Sequence, residues 1–127
     1  MKDPKILIVE DERHITKFLE FILAKEGCRI MSAGDGKKAL EILENFSPDG
    51  ILLDLGLPDM SGIDLLKTIR SDKKRQNAKV IILSATLYEG ISEQLNEAGA
   101  DAQCSKPIAP STLVRTLQKL ELLTAQE

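Results

Sequence analysis

Glu10, Asp11, Asp54 and Lys106 stand at the ends of three apolar runs. Glu10 and Asp11 follow Ile6-Leu7-Ile8-Val9, Asp54 follows Ile51-Leu52-Leu53, and Lys106 follows a short segment around Ala102 to Cys104. If these runs are neighbouring parallel strands, about 4.8 Å apart, their carboxyl ends gather carboxylates and one ammonium in a single crevice. Two bare carboxylates ~4 Å apart repel by about 4 kcal/mol at an effective dielectric of 20. A hard divalent cation relieves that repulsion. Mg²⁺ is the leading choice, with Mn²⁺ able to replace it, because Mg²⁺ takes a few protein oxygens and keeps waters and a phosphoryl oxygen in its shell.

The parts describe phosphoryl transfer onto a carboxylate. Asp54 is the candidate nucleophile, exposed at a strand end to an in-line phosphoryl group. Asp11 is assigned to the metal directly and Glu10 directly or through water, with Asp54 and the Gly56 carbonyl completing the protein ligands. Lys106 supplies a second, fixed positive charge. Ser84, at the end of the Val80 to Leu83 run, offers a hydroxyl toward the same place. These groups would stabilise charge on the equatorial oxygens in the transition state.

The elements that must position these residues are legible in the hydrophobic pattern. Strands are expected at Lys5 to Val9, Cys28 to Ser32, Gly50 to Leu53, Val80 to Leu83 and Ala102 to Cys104, as nearly continuous apolar runs that suit strands covered on both faces. Helical spacing joins Ile15, Phe18, Leu19 and Ile22; Ala39, Leu40, Leu43 and Phe46; and Leu65, Leu66 and Ile69. A shorter fourth helix carries Ile91, Leu95 and Ala98, and a fifth carries Leu113, Leu117 and Leu120 with Pro110 in its first turn. Gly27 and Gly99 fall where helices need a left-handed closing residue. Alternating strands and helices with right-handed crossovers make an open, doubly wound (βα)5 α/β sheet. Ordered 2-1-3-4-5, that sheet reverses between strands one and three, and ligands bind at such a reversal, outside the carboxyl ends. Those strands end in Glu10-Asp11 and Asp54.

At 127 residues the chain fits a single domain spanning 1–127, without a repeat or linker to mark a second. No apolar run approaches the ~20 residues of a membrane span, and the N-terminus lacks the pattern of a secretory signal, so a cytoplasmic protein is expected. A net charge of −3 provides no general basic field for nucleic acid, and Lys73-Lys74-Arg75 reads as a solvated loop. Cys28 and Cys104 read as buried free thiols, and His14 as a surface residue at a helix start.

The chain resembles the receiver domains of two-component response regulators over essentially its full length. The resemblance rests on Ile8-Val9-Glu10-Asp11-Glu12, on Pro48 through Gly62 around Asp54, on Ile82-Leu83-Ser84-Ala85, and on Gly99-Ala100-Asp101 leading to Ser105-Lys106-Pro107. It implies a flavodoxin-like fold and Mg²⁺-dependent phosphorylation of Asp54 by a sensor histidine kinase or a histidine phosphotransfer protein. It also implies a self-phosphorylating and self-dephosphorylating switch, monomeric or weakly dimeric on phosphorylation, rather than a turnover enzyme. Lys106-Pro107 matches a peptide that is commonly cis in the family. Gly56 and Thr86 occupy positions that govern how water reaches the acyl phosphate. The family places an aromatic three residues before the lysine, whereas this chain has Gln103. A glutamine amide does not belong in an apolar slot, so the usual partnership of that aromatic with the Ser84 hydroxyl is in doubt; Tyr88 is a further candidate for that face.

Three other readings compete. A flavin-binding module would need a Gly/Ser/Thr-rich loop where Glu10-Asp11-Glu12-Arg13 stands, and a haloacid-dehalogenase-like phosphatase would need an aspartate at Gly56. A phosphorylation-independent interaction module of the same fold is the remaining alternative. The chain runs only a few residues past Leu122-Leu123, which leaves no length for an output domain and points to a stand-alone regulator or a domain of a longer protein.

Overall fold

A computed structural model describes residues 3–85 and 90–124, so Thr86 and Tyr88 lie outside the described residues. Five strands, β1 (Lys5–Val9), β2 (Arg29–Ala33), β3 (Gly50–Asp54), β4 (Lys79–Ser84) and β5 (Ala102–Ser105), alternate with α1 (Arg13–Lys25), α2 (Gly36–Leu43), α3 (Gly62–Ser71), α4 (Ile91–Ala98) and α5 (Pro110–Lys119). All strand pairs are parallel, in the order β2-β1-β3-β4-β5. The sheet therefore reverses between β1 and β3, as the sequence implies.

Strand alternation divides the core between the two faces of the sheet. Leu7, Val9, Ile51, Leu53, Val80 and Ile82 pack on one side with α2, α3 and α4, whose contributions include Leu43, Leu66 and Leu95. Ile6, Ile8, Leu52, Ile81 and Leu83 pack on the other with Leu19 and Leu23 of α1 and Leu113 and Leu117 of α5. Register then sets the height of the charged ends. Val9 pairs with Leu53, so Glu10 and Asp54 follow at one level, and Ser84 pairs with Ser105, the residue before Lys106.

Some details depart from the hydrophobic pattern. β2 begins one residue later than expected and is an edge strand with mixed exposure, and Cys28 precedes it, half-buried rather than buried. Phe18 is 41% exposed, because α1 turns Leu19, Ile22 and Leu23 inward and leaves Phe18 on its flank. Phe46 packs on the core from beyond the end of α2, and Leu120 caps α5 rather than continuing it. The Lys73-Lys74-Arg75 segment forms one 3-10 turn; its lysines are exposed, but Arg75 is half-buried, ion-paired with Asp72 and bonded to the Leu43 carbonyl.

The pole of the sheet away from the charged ends is tied by Arg70, in the last turn of α3. Its Nε and Nη2 donate to the Gly99 carbonyl at 2.9 and 2.8 Å, and its Nη1 donates to the Ala78 carbonyl at 2.6 Å. Nη2 also meets Asp101 Oδ2 at 2.7 Å, and that oxygen accepts the Val80 N–H at 2.9 Å. Gly99 closes α4 at φ 103, the left-handed conformation expected there.

At the other pole, α3 starts hard against the end of β3. Ser61 caps it by accepting the Ile63 N–H at 3.1 Å. A Cβ added to Gly62 would lie 2.7 Å from both the Asp54 carbonyl oxygen and the Leu55 Cα, which are backbone atoms with little freedom to yield. Gly62→Ala should therefore cost about 2 kcal/mol of stability, in the range seen for overpacking, read as a lowered urea midpoint at unchanged slope. An unchanged midpoint would show that the start of α3 can retreat from Asp54.

Candidate functional site

The carboxyl ends of β1, β3 and β5 bring the expected charges together. Lys106 Nζ lies 2.7 Å from Glu10 Oε2 and 3.3 Å from Asp54 Oδ1. Glu10 and Asp54 are buried, at 2% and 6% exposure, which makes the ammonium the compensating charge for two carboxylates sheltered from water. One carboxylate oxygen from each of Glu10, Asp11 and Asp54 lies within 4.8 Å of the other two. The Lys106 N–H donates to the Ser84 carbonyl at 2.8 Å, so the end of β4 fixes the height from which the lysine reaches in. The Lys106-Pro107 peptide is cis, as the resemblance implies.

Electrostatics divides the carboxylates. Burial raises the Glu10 pKa above its usual value; hydrogen bonds from Lys106 and the Glu12 N–H oppose this only in part, and the Asp54 charge adds to it. For Lys106, burial pushes the pKa down, but the bond to Glu10 and the charges of Asp54 and Glu10 outweigh it and leave it raised. Both Glu10 oxygens are engaged within the protein, Oε2 by Lys106 and Oε1 by the Glu12 N–H at 3.2 Å, whereas Asp11 is exposed at the rim. An open groove of about 340 Å³, with Asp11, Arg13, Lys17 and Ser32 among its lining residues, runs from Glu10 toward α1 and β2.

The oxygen donors and their crowding fit a hard divalent cation. Asp11 is the residue with an accessible carboxylate, Asp54 and Glu10 form the buried floor, and the Gly56 backbone is close by: a Cβ there would be 4.0 Å from Asp54 Oδ2. Ser84 is buried at the end of β4, beside the same edge.

Gln103 settles differently from an aromatic. It is half-buried on β5, and its Oε1 accepts the Ser92 Oγ–H at 3.1 Å, so the amide oxygen is met by the first turn of α4 rather than placed in an apolar slot. Thr16 was not singled out from sequence; its hydroxyl donates to the Glu10 carbonyl at 3.3 Å. Asp59, within the Pro48 to Gly62 segment, does more than turn the chain: its carboxylate reaches across to the start of α2 and accepts the Gly36 and Lys37 N–H groups at 2.8 and 2.9 Å. Cys28 lies elsewhere, and burial, aided by Glu26 and Asp3, pushes its thiol up to about 11, which leaves it unreactive near neutral pH. His14 is exposed beside Glu12 on α1.

Residues 6–118 match the family described as "Response regulator receiver domain". The chain belongs to the response regulator receiver domain family. This receiver domain is 36% identical over 113 residues to the transcriptional regulatory protein KdpE of Mycobacterium tuberculosis, an alignment that takes in 89% of the chain and 49% of KdpE. It thus spans about half the length of that relative. It is 28% identical to the polar-differentiation response regulator DivK of Brucella ovis, over 89% of the chain and 92% of DivK. Among solved structures it is similar to the chemotaxis response regulator CheY4 of Vibrio cholerae, with a TM-score of 0.89, 26% identity and coverage of 94% of this chain and 99% of that one. It is also similar to the receiver domain of the sensor histidine kinase PA1611 of Pseudomonas aeruginosa, with a TM-score of 0.84, 29% identity and coverage of 94% and 98%. That structure holds a magnesium ion coordinated in its active-site cleft. The flavodoxin-like order of the receiver fold is the order found here. Receiver domains work with histidine kinases and downstream partners. Among the described residues, no helix is long and apolar enough to cross a membrane.

Two expectations follow from the charges. Lys106→Met leaves Glu10 and Asp54 facing each other without their ammonium and should lower stability in the absence of divalent cation by about 3 kcal/mol. Added Mg²⁺ should then stabilise the variant more than the wild type in urea titrations; an equal gain would mean that lysine and cation do not share the task. Asp59 is an acid whose pKa is lowered by the N–H groups of Gly36 and Lys37, so its stabilisation is present above its unfolded value and lost as pH falls through the native one. The stability difference between wild type and Asp59→Asn should therefore be full at neutral pH and shrink below about pH 4. A difference that stayed constant down to pH 3 would contradict this.

Proposed function

We propose that this receiver domain accepts a phosphoryl group on Asp54 from a histidine kinase or a histidine phosphotransfer protein, with Mg²⁺ bound, and signals through a changed surface. The observation that carries this reading is the single ammonium of Lys106 set between buried Glu10 and Asp54, with the Asp11 carboxylate within reach of both. A structural ion pair would need one carboxylate for one lysine. Three carboxylates around one ammonium leave an excess of negative charge that suits a cation and, through it, an anionic phosphoryl group.

Asp11, Asp54 and the Gly56 carbonyl would hold the cation, with Glu10 behind them taken up by Lys106. When bound, the cation supplies positive charge against the phosphoryl oxygens. An Asp54 carboxylate oxygen attacks phosphorus, the bond from phosphorus to the donor imidazole nitrogen breaks with its electron pair going to that nitrogen, and an acyl phosphate results. Lys106 is already directed at Asp54 Oδ1 and meets the new negative charge without moving far. Ser84, joined to Lys106 through the backbone, would supply a hydroxyl to the phosphoryl group. Water later cleaves the acyl phosphate, releasing phosphate and restoring the carboxylate. Among the described residues, only Asp54 Oδ2 falls within 4 Å of a Cβ position at Gly56, and the small residue there supports open approach of water and a short-lived phosphoryl state.

The chemistry is that of a switch that modifies itself, not of a turnover enzyme. The Gln103–Ser92 bond connects β5 to α4 on the side where the family's aromatic would act, so output here runs through a polar contact. The family reading supports a histidine kinase upstream and a partner downstream, and a cytoplasmic location is part of the same proposal.

Incubation of the purified chain with acetyl phosphate or phosphoramidate and Mg²⁺ should add one phosphoryl group by intact-mass spectrometry. EDTA should abolish the addition and Asp54→Asn should prevent it. No addition to the wild type, or equal addition to the variant, would overturn the assignment of Asp54 and favour a phosphorylation-independent interaction module.

A further inference from the structure

The segment between Asp54 and α3 is held at its base by the sheet. The Leu55 N–H donates to the Leu83 carbonyl at 3.2 Å, the Gly62 N–H donates to the Leu55 carbonyl at 3.1 Å, and Gly56 bridges Ser61 in an isolated antiparallel pair. The segment is thus a small closed ribbon with Gly56 at its root and Asp59 and Met60 near its tip. That tip is anchored to a different element, the first turn of α2. Asp59 Oδ1 accepts the Gly36 N–H and Oδ2 the Lys37 N–H, one oxygen for each donor. Met60 lies so close to Gly36 that a Cβ there would come 2.5 Å from its sulfur.

α2 does not need Asp59 in order to start. Asp35 is its own N-cap and takes the Lys38 N–H at 2.7 Å. Asp59 uses the two preceding donors, so a carboxylate from one loop completes the cap of a helix that belongs to another. α2 packs through Ala39 and Leu43 into the core formed with Leu7 and Val9 of β1. The far side of the Gly56 segment is thereby braced against the strand that carries Glu10 and Asp11.

We propose that Asp59 is a positioning residue that holds the Gly56 carbonyl at the height required for the cation and so sets the divalent-cation affinity of the site. This rests on the reading of Asp11, Asp54 and the Gly56 carbonyl as that cation's ligands, with Glu10 behind them. Groups that orient metal ligands from behind change affinity by about tenfold or more when removed, and a backbone carbonyl has only its own segment to orient it.

The test is calorimetric titration of the intact chain with Mg²⁺, alongside urea unfolding of each variant. Asp59→Ala should weaken Mg²⁺ binding by about tenfold, and Asp59→Asn, which keeps one acceptor oxygen and should fold where Asp59→Ala does not, should fall between it and wild type. Asp35→Ala removes the cap that α2 supplies for itself and should lower stability while leaving Mg²⁺ affinity within about twofold of wild type. Wild-type affinity in folded Asp59→Ala or Asp59→Asn, or equal weakening by Asp35→Ala, would overturn the positioning role. If the wild type takes up no Mg²⁺, or Asp54→Asn takes it up equally well, the reading of the site itself falls and this inference falls with it.

Discussion

Like charge held at close quarters is the constraint around which this molecule is arranged. Glu10 and Asp54 are buried side by side, Asp11 is at their rim, and Lys106 stands between the buried pair. An arrangement of this kind is costly unless each carboxylate has a partner, and Glu10 shows the cost in its raised pKa, with burial as the leading cause. The remaining excess of negative charge is what makes the crevice receptive to cations. Stability and reactivity are opposed here, and the fold supports the opposition by keeping everything beneath the charged layer apolar.

The parallel sheet is suited to that task because its register is continuous. Val9 beside Leu53 and Leu53 beside Ile82 set the last wholly apolar level, and Glu10 and Asp54 follow it, while β4 runs on to Leu83 and Ser84. Helices on both faces remove water from the strands up to that level and no further. Gly62 lets α3 begin directly against the Asp54 carbonyl, which brings the helix start within van der Waals distance of the phosphoacceptor's own backbone.

Much of this was legible in the chain itself, since it depends on patterns local in sequence. Apolar runs ending in charge, helical spacing on α3 and glycines after helices all report short-range geometry; the crossover rules give the doubly wound class, and the strand order is what the family resemblance implies. The departures share a different origin. Phe18 satisfies the helical spacing as well as Leu19 does, and only the tilt of α1 on the sheet decides which of them is covered. The Asp59 contact with Gly36 and Lys37 spans more than 20 residues, so nothing near Asp59 in the sequence reveals it. Gln103 was readable as a misfit in an apolar slot, but its partner Ser92 depends on how α4 rests against β5. The family match covers the local motifs and is silent on such contacts.

The Arg70 network has a mechanical meaning for α4. The guanidinium joins α3, the entry to β4 and the turn after α4, so the C-terminal end of α4 is fastened at the pole far from the phosphoacceptor. The opposite end starts at Gly90 without a side-chain cap and carries the hydrogen bond from Ser92 to Gln103. Ile91 beside it is buried in the core, so α4 is held at its two ends by unlike means: a guanidinium network at one, and an apolar contact with a side-chain hydrogen bond at the other.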